Sequence, residues 1–270
     1  MPELPEVETV VRALREPLNG RVITGVDNDW PRQIATPSFS ELQARIKNQQ
    51  ILGVERRGKY ILIPLSKQDT LIIHLKMSGH LAVVESTVPV HKFVHTRFHL
   101  DNGKELRFRD MRKFGRVYLV DDVNDVVGHL GPEPLQDTFT VEVLAARLNG
   151  RTRQLKPLLL DQTFIAGVGN IYADEALFYA KLHPKRTANS LTQAEIARLH
   201  ASIRRALALG IEREGASISL YVKPDGTKGD MQNAVNVFRR THQPCYDCGT
   251  PIERIKLNGR STHFCPHCQK

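Results

Sequence analysis

All four cysteines of the 270-residue chain lie between positions 245 and 268, as Cys245-x2-Cys248 and Cys265-x2-Cys268 with 16 residues between the pairs. Disulfides that staple a small secreted fold are spread along it as a framework, and clustering in one tail points elsewhere. Two Cys-x2-Cys knuckles at this spacing suit one tetrahedral Zn2+ held by four thiolates. A redox Cys-x2-Cys pair and unrelated free thiols are the alternatives, and neither explains two such pairs so close together. A module this small has too little core to fold well without the metal. Between the knuckles, Asn258-Gly259 is a tight-turn signal that puts Arg260 at a hairpin tip. A tip arginine is either a solvated charge or a contact to phosphate or a DNA groove.

The remaining chain divides by its apolar periodicity. Residues 3–16 read as a helix, with Leu4, Val7, Val10, Val11 and Leu14 on one side. Short strand-like runs follow at 21–26, 50–56, 60–64, 70–75, 80–84, 96–100, 105–109 and 116–120, with a helix at 41–47 among them. Turn signals such as Arg57-Gly58, Ser78-Gly79 and Asp101-Asn102-Gly103 separate several runs, a pattern of sandwiches and barrels. Beyond Gly131-Pro132-Glu133-Pro134 the spacing becomes helical, at 141–148, 154–161, 171–179 and 192–213. Thr192 and Glu195 fit a capping box. The expected fold is α+β: a β-rich domain over 1–130, a linker over 131–138, a helical domain over 139–240 and a zinc module over 241–270.

Charge narrows the function classes. The net charge is +9, and its excess sits in the second half. Residues 1–136 hold 19 basic and 17 acidic side chains, whereas residues 137–270 hold 19 and 12. Such a surplus fits a polyanion partner or a merely solvated basic surface. No apolar run approaches the roughly 18 residues that span a bilayer. The start, MPELPEVETV, has three acidic and no basic residues, unlike a secretory leader, so a cytoplasmic protein is expected.

Two further patterns carry chemistry. Ile165-Ala166-Gly167-Val168-Gly169-Asn170 is a glycine-rich turn running into a helix, where exposed backbone N–H groups hold phosphate. Lys156 and Asn170 could add side-chain contacts, and an ordinary helix connector is the plain alternative. At the amino terminus, trimming of Met1 would leave Pro2 as a free secondary amine beside Glu3 and Glu6. An α-amine has a pKa of about 8, against about 10.4 for lysine, so more of it is a neutral nucleophile near pH 7. Condensed with a sugar carbon, a secondary amine gives a permanently cationic iminium. A plain proline at a helix start is the alternative.

These features occur together with His74-Leu75-Lys76-Met77-Ser78-Gly79, Asp110-Met111-Arg112-Lys113-Phe114-Gly115 and Gly167-Val168-Gly169-Asn170-Ile171-Tyr172-Ala173-Asp174-Glu175. In order and end to end, they resemble bacterial formamidopyrimidine-DNA glycosylase. The resemblance implies an amino-terminal β-sandwich flanked by helices, a helix–two-turn–helix domain and a zinc finger, with damaged double-stranded DNA in the cleft between the halves. It implies removal of oxidised purines, 8-oxoguanine and formamidopyrimidines, from an extruded nucleotide, and strand cutting by β,δ-elimination. By position, it implies Pro2 as nucleophile on C1′, Glu3 as the acid/base for sugar-ring opening, Glu6 as support and Lys59 as acid/base for elimination. Lys156, Asn170 and Arg260 match phosphate-clamping positions, Arg260 also assisting the second elimination. His74, His95 and Arg151 match further DNA contacts. Met77, Arg112 and Phe114 match residues that fill the gap left by the extruded base. One structural Zn2+ and a monomer acting in the bacterial cytosol complete the expectation.

Two stretches depart from the family pattern. Lys92-Phe93-Val94-His95 lacks the first histidine of a His-x-His pair, and Gly215-Ala216-Ser217-Ile218 replaces a Gly-Gly-Thr-Thr loop over the extruded base. The rivals are an endonuclease VIII-like enzyme for oxidised pyrimidines and a non-catalytic zinc-finger DNA-binding protein. The first usually begins Pro-Glu-Gly-Pro-Glu, against Pro2-Glu3-Leu4-Pro5-Glu6 here. The second leaves the amino-terminal Pro-Glu and Lys59 unexplained.

Overall fold

The structure is a computed structural model of the whole chain and describes residues 1–218 and 220–270. Its first compact unit comprises Met1–His129 together with Glu214–Gly229. Helix α1 (Leu4–Leu18) opens it, followed by β1 (Val22–Asn28), β2 (Ile34–Thr36), α2 (Phe39–Ile46), β3 (Gln49–Gln50), β4 (Glu55–Arg57), β5 (Tyr60–Pro64), β6 (Thr70–His74), β7 (Gly79–Glu85), β8 (Val94–Leu100), β9 (Lys104–Asp110), β10 (Arg116–Val120) and the single turn α3 (Asn124–Val127). The strands form two five-stranded sheets, ordered β3-β1-β8-β9-β7 and β2-β10-β6-β5-β4. All pairings are antiparallel except β10 with β2.

The two sheets share one core. Ile23, Phe98, Leu106 and Phe108 from one sheet join Ile61, Ile63, Leu71, Ile73 and Val117 from the other. Along α1, Leu4, Val7, Val10, Val11, Leu14 and Leu18 recur at helical spacing, and all are buried. Each such residue contributes about 1.5–3 kcal/mol when fully removed from water. Pro5 sits in the first turn, where a missing N–H costs no intrahelical bond. The run expected as one strand over 50–56 is instead split between β3 and β4. Ile51 and Val54 are both buried while Leu52 is exposed, a spacing of three that a two-residue strand period cannot satisfy.

The second unit comprises Leu130–Arg213 and Asp230–Lys270. It holds α4 (Val141–Leu148), α5 (Leu155–Leu159), α6 (Asn170–Ala180), α7 (Gln193–Glu212) and the hairpin β11 (Glu253–Leu257) and β12 (Arg260–Phe264). Helix α6 is buried nearly all round, as a central helix must be. It packs on α7 closely enough that a Cβ at Gly210 would lie 2.4 Å from the Tyr172 ring. That contact explains a glycine in a helix interior, where it costs about 1 kcal/mol relative to alanine. The expected capping box starts α7: Thr192 Oγ1 accepts from Glu195 N at 3.3 Å and Glu195 Oε2 accepts from Thr192 N at 2.8 Å. Among the described residues, no helix is long and apolar enough to cross a membrane. The expected α+β order, sandwich then helices then cysteine hairpin, is the order observed.

Candidate functional site

In the first unit the amino terminus is anchored by one carboxylate. Pro2 is buried, and Glu3 caps α1. The Glu3 backbone N–H donates to Glu6 Oε2 at 2.7 Å. The other oxygen, Glu6 Oε1, accepts from the Ala216 backbone N–H at 2.8 Å. Glu6 thus ties the residue after Pro2 to the 214–229 segment. At Gly215 the backbone takes φ +83°, and a Cβ there would meet Glu6 Cγ at 2.8 Å; both the conformation and the close approach call for glycine. The same segment is held by Tyr221, whose hydroxyl donates to Glu214 O at 3.2 Å, and by His80 Nε2 at 3.1 Å from Lys223 O.

Lys59 occupies the two-residue turn between β4 and β5, with Gly58 at φ +56°. Arg56 links this turn to α1: its Nε donates to Glu8 Oε2 at 2.9 Å and its Nη1 to Gly58 O at 3.3 Å. Lys59 is buried, and its charge reaches His74. Burial first, and then the charges of Lys76 and Lys59, push the His74 pKa down to about 3. His74 Nδ1 accepts from Lys76 N–H at 2.9 Å. The ring is therefore neutral at physiological pH with its proton on Nε2, a neutral donor rather than a cation.

That depressed pKa has a consequence for stability. The unfolded chain takes up the proton near pH 6.5, the folded chain only near pH 3. Stability from this group is thus complete above pH 6.5 and is lost as pH falls between those values. The denaturation midpoint of the parent protein is expected to drop more steeply from pH 7 to pH 4 than that of His74→Phe. Equal slopes refute a neutral buried His74.

Met77 and Phe114 stand on two turns of the same unit and are 39% and 45% exposed. Arg112 lies between them in sequence, its guanidinium 4.9 Å from the centre of the Phe114 ring. Large exposed apolar side chains in one place mark a surface that meets something. The turns are held by Asp110, which is fully buried. Its role escaped the sequence reading, although an acidic residue two positions before a turn amide is a recognisable Asx signal. His95 is buried, 2.7 Å from Asp29 Oδ1 through Nδ1, and lines a cavity of about 350 Å3 with Asn28.

In the second unit the residues matched to phosphate positions, and Arg151 matched to a further contact, fall into two groups. Arg260 is exposed at the start of β12, beside the Asn258-Gly259 turn, and Arg151 is exposed after α4. Asn170 begins α6 behind Gly167 at φ +82°, and its Nδ2 donates to Ser261 O at 3.1 Å. Lys156 is instead 0% exposed. Its ammonium pairs with the equally buried Asp174 and donates to Asn170 O at 3.1 Å. Asp174 also accepts from the His263 backbone N–H at 3.0 Å. Lys156 and Asp174 therefore join the glycine turn to β12, a connection of residues 89 apart that no local pattern announces.

The four cysteine sulfurs all lie within 4.8 Å of one another. Cys245 and Cys268 are 4.0 Å apart and Cys248 and Cys265 3.5 Å apart. A tetrahedral Zn2+ with bonds of about 2.3 Å requires sulfurs about 3.8 Å apart, whereas a disulfide needs about 2.05 Å. The donor set and its spacing fit one structural zinc. A chelator strong enough to remove it is expected to unfold the β11–β12 hairpin and displace Arg260. Native mass spectrometry should give one zinc per active chain, and an active metal-free preparation overturns this.

Comparisons with known proteins cover the chain from end to end. Residues 1–117 match the family model described as the formamidopyrimidine-DNA glycosylase N-terminal domain, residues 130–222 the H2TH domain of the same enzyme, and residues 243–270 the zinc finger found in FPG and IleRS. Formamidopyrimidine-DNA glycosylase of Protochlamydia amoebophila is 46% identical over 275 residues, with both chains covered in full. That of Symbiobacterium thermophilum is 48% identical, across all of this chain and 89% of its own. Among solved structures, a Lactococcus lactis FPG variant in complex with Fapy-dG-containing DNA has a TM-score of 0.93 and 37% identity, each chain covered in full. MutM in complex with carbocyclic 8-oxo-G-containing DNA gives 0.91 and 38%, again over the whole of both chains. On fold, metal centre and full-length likeness, the chain belongs to the formamidopyrimidine-DNA glycosylase family.

Proposed function

We propose that this protein excises oxidised purines, formamidopyrimidines and 8-oxoguanine, from duplex DNA and then cuts the strand at the resulting abasic site. The observation that carries this reading is the amino terminus. Glu6 fixes the start of α1 from both sides, so a trimmed Pro2 presents a secondary amine in a set position beside Glu3. Pro2 attacks C1′ of the extruded nucleotide as the base departs, and Glu3 donates a proton to the sugar-ring oxygen as the ring opens. The lone pair of Pro2 nitrogen gives the C1′ iminium. Loss of a C2′ proton then expels the 3′ phosphate, and a second elimination expels the 5′ phosphate. Lys59, in its buried turn, relays protons for elimination.

Binding divides into phosphate and gap-filling contacts. Arg260, Arg151 and Asn170 offer donors for phosphates, and His74 adds a neutral donor. Lys156 is proposed to act through Asn170 and the hairpin it braces. His95, proposed as a further DNA contact, is buried against Asp29. Met77 and Phe114 wedge into the stack, and the Arg112 fork pairs with the acceptors of the orphaned cytosine. Zinc holds the hairpin that bears Arg260. The protein works as a monomer in the cytosol.

Parallel excision assays on duplexes carrying formamidopyrimidine, 8-oxoguanine or an oxidised pyrimidine test this reading, each with borohydride present. Purine lesions should be released fastest, with a covalent protein–DNA adduct on reduction. Faster release of the pyrimidine favours the endonuclease VIII-like reading. Binding without release or adduct leaves only a DNA-binding protein.

A further inference from the structure

The turns carrying Met77 and Arg112–Phe114 are separate in sequence but joined beneath the surface. The Asp110 carboxylate accepts Gly115 N–H at 2.6 Å on one oxygen and Arg112 N–H at 3.3 Å on the other. These two bonds close its own turn. The second oxygen also accepts the Ser78 hydroxyl from the neighbouring turn. Ser78 Oγ in return accepts Arg112 N–H at 3.1 Å. The ring of bonds runs from Ser78 to Asp110 to the Arg112 amide and back to Ser78, and the residue on each side of Ser78 is placed by it. One is Met77; the other, Gly79, pairs with Asp110 across β7 and β9.

A second contact shares the same floor. A Cβ at Gly79 would lie 2.8 Å from the Phe108 ring, and one at Gly115 2.4 Å from it. Both turns therefore rest directly on one buried aromatic ring, and only glycine lets them approach so closely. Above this floor Met77, Met111 and Phe114 are exposed. The arrangement is a rigid base with an apolar tip. Ordering such side chains on binding costs about 0.5–1.5 kcal/mol each when they start free, and a fixed base removes part of that cost.

We propose that Asp110 and Ser78 are positioning residues that fuse the two turns, so that Met77, Arg112 and Phe114 enter the duplex as one body. This rests on the gap-filling reading of those three side chains. Ser78→Ala is the discriminating variant, because it removes both side-chain bonds between the turns and leaves both backbone bonds of Asp110 in its own turn.

The test measures single-turnover excision of 8-oxoguanine opposite cytosine, beside cutting of a preformed abasic site in single-stranded DNA, where no gap needs filling. Ser78→Ala is expected to slow duplex excision about tenfold, within the range of couplings in one hydrogen-bond network. Cutting of the single strand should stay within about twofold, so the ratio of the two rates falls. Met77→Ala and Phe114→Ala should combine to less than the product of their separate losses in the parent protein, and to the full product in the Ser78→Ala background. Duplex excision by Ser78→Ala at the parent rate overturns the proposal, as does an equal fall in both activities. Losses from Met77→Ala and Phe114→Ala that already multiply in the parent protein overturn it while leaving the wedge intact. If neither substitution slows excision, the wedge itself is absent and the proposal falls with it.

Discussion

A preparation that retains Met1, or carries an amino-terminal tag, is expected to bind damaged DNA and release almost no base. In such a chain the Pro2 nitrogen is an amide, its lone pair is delocalised into the carbonyl, and attack on C1′ is lost. Nothing else in the proposed binding machinery changes. Arg260 remains at the β12 hairpin, and Met77 and Phe114 remain exposed. Excision and strand cutting should fall together by at least about a thousandfold, the scale on which loss of a covalent nucleophile is felt, while the dissociation constant changes little. The competing nucleophile is Lys59, a buried primary amine that could also form a Schiff base with C1′. Peptide mapping of the borohydride-trapped complex separates the two. An adduct on Lys59, or full activity in a homogeneous Met1-retaining protein, rules out Pro2.

The second large effect falls on stability. Lys156→Met is expected to destabilise the second unit by about 3–5 kcal/mol, the usual consequence of stranding one member of a buried ion pair. Asp174, at 0% exposure, would lose its lysine and keep only His263, whose backbone N–H and ring Nδ1 lie 3.0 and 3.2 Å from Oδ2. The melting temperature should drop by about 6–20 °C. A phosphate-contacting lysine at an exposed surface behaves otherwise, changing stability by less than about 0.5 kcal/mol. Replacing both partners, as Lys156→Met with Asp174→Leu, should recover much of the loss because no charge remains to be desolvated. Calorimetry on the zinc-loaded protein decides it: a single variant that melts with the parent overturns the bracing role.

Much of the fold is written locally. The apolar stripe of α1, the capping box of α7 and the Asn258-Gly259 turn are each encoded within a few residues, and each forms where its pattern sits. The four cysteines converge because their spacing permits little else. Two short elements were not legible. Strand β2 spans only Ile34–Thr36 and α3 only Asn124–Val127, too short for either period to repeat. Burial of charge was illegible for a different reason. Lys156 reads like any basic residue near a glycine turn, and what withdraws it from solvent is an acid 18 positions on. Ser78 and Asp110 are 32 positions apart. In both cases the partner is supplied by the packing of distant segments, so only the assembled chain distinguishes a buried acid from a solvated one.

The discontinuous make-up of the first unit bears on the order of events during synthesis. Residues 1–129 contain both sheets, yet the partner of Glu6 Oε1 is Ala216. At about 5–20 residues per second, the ribosome takes roughly 10–40 seconds to travel from Pro2 to that residue. Throughout this interval the first turn of α1 lacks the clasp that seats it, and Met1 is within reach of a processing peptidase. Trimming of Met1 can thus precede the Glu6–Ala216 bond, which forms only after the ribosome has passed Ala216.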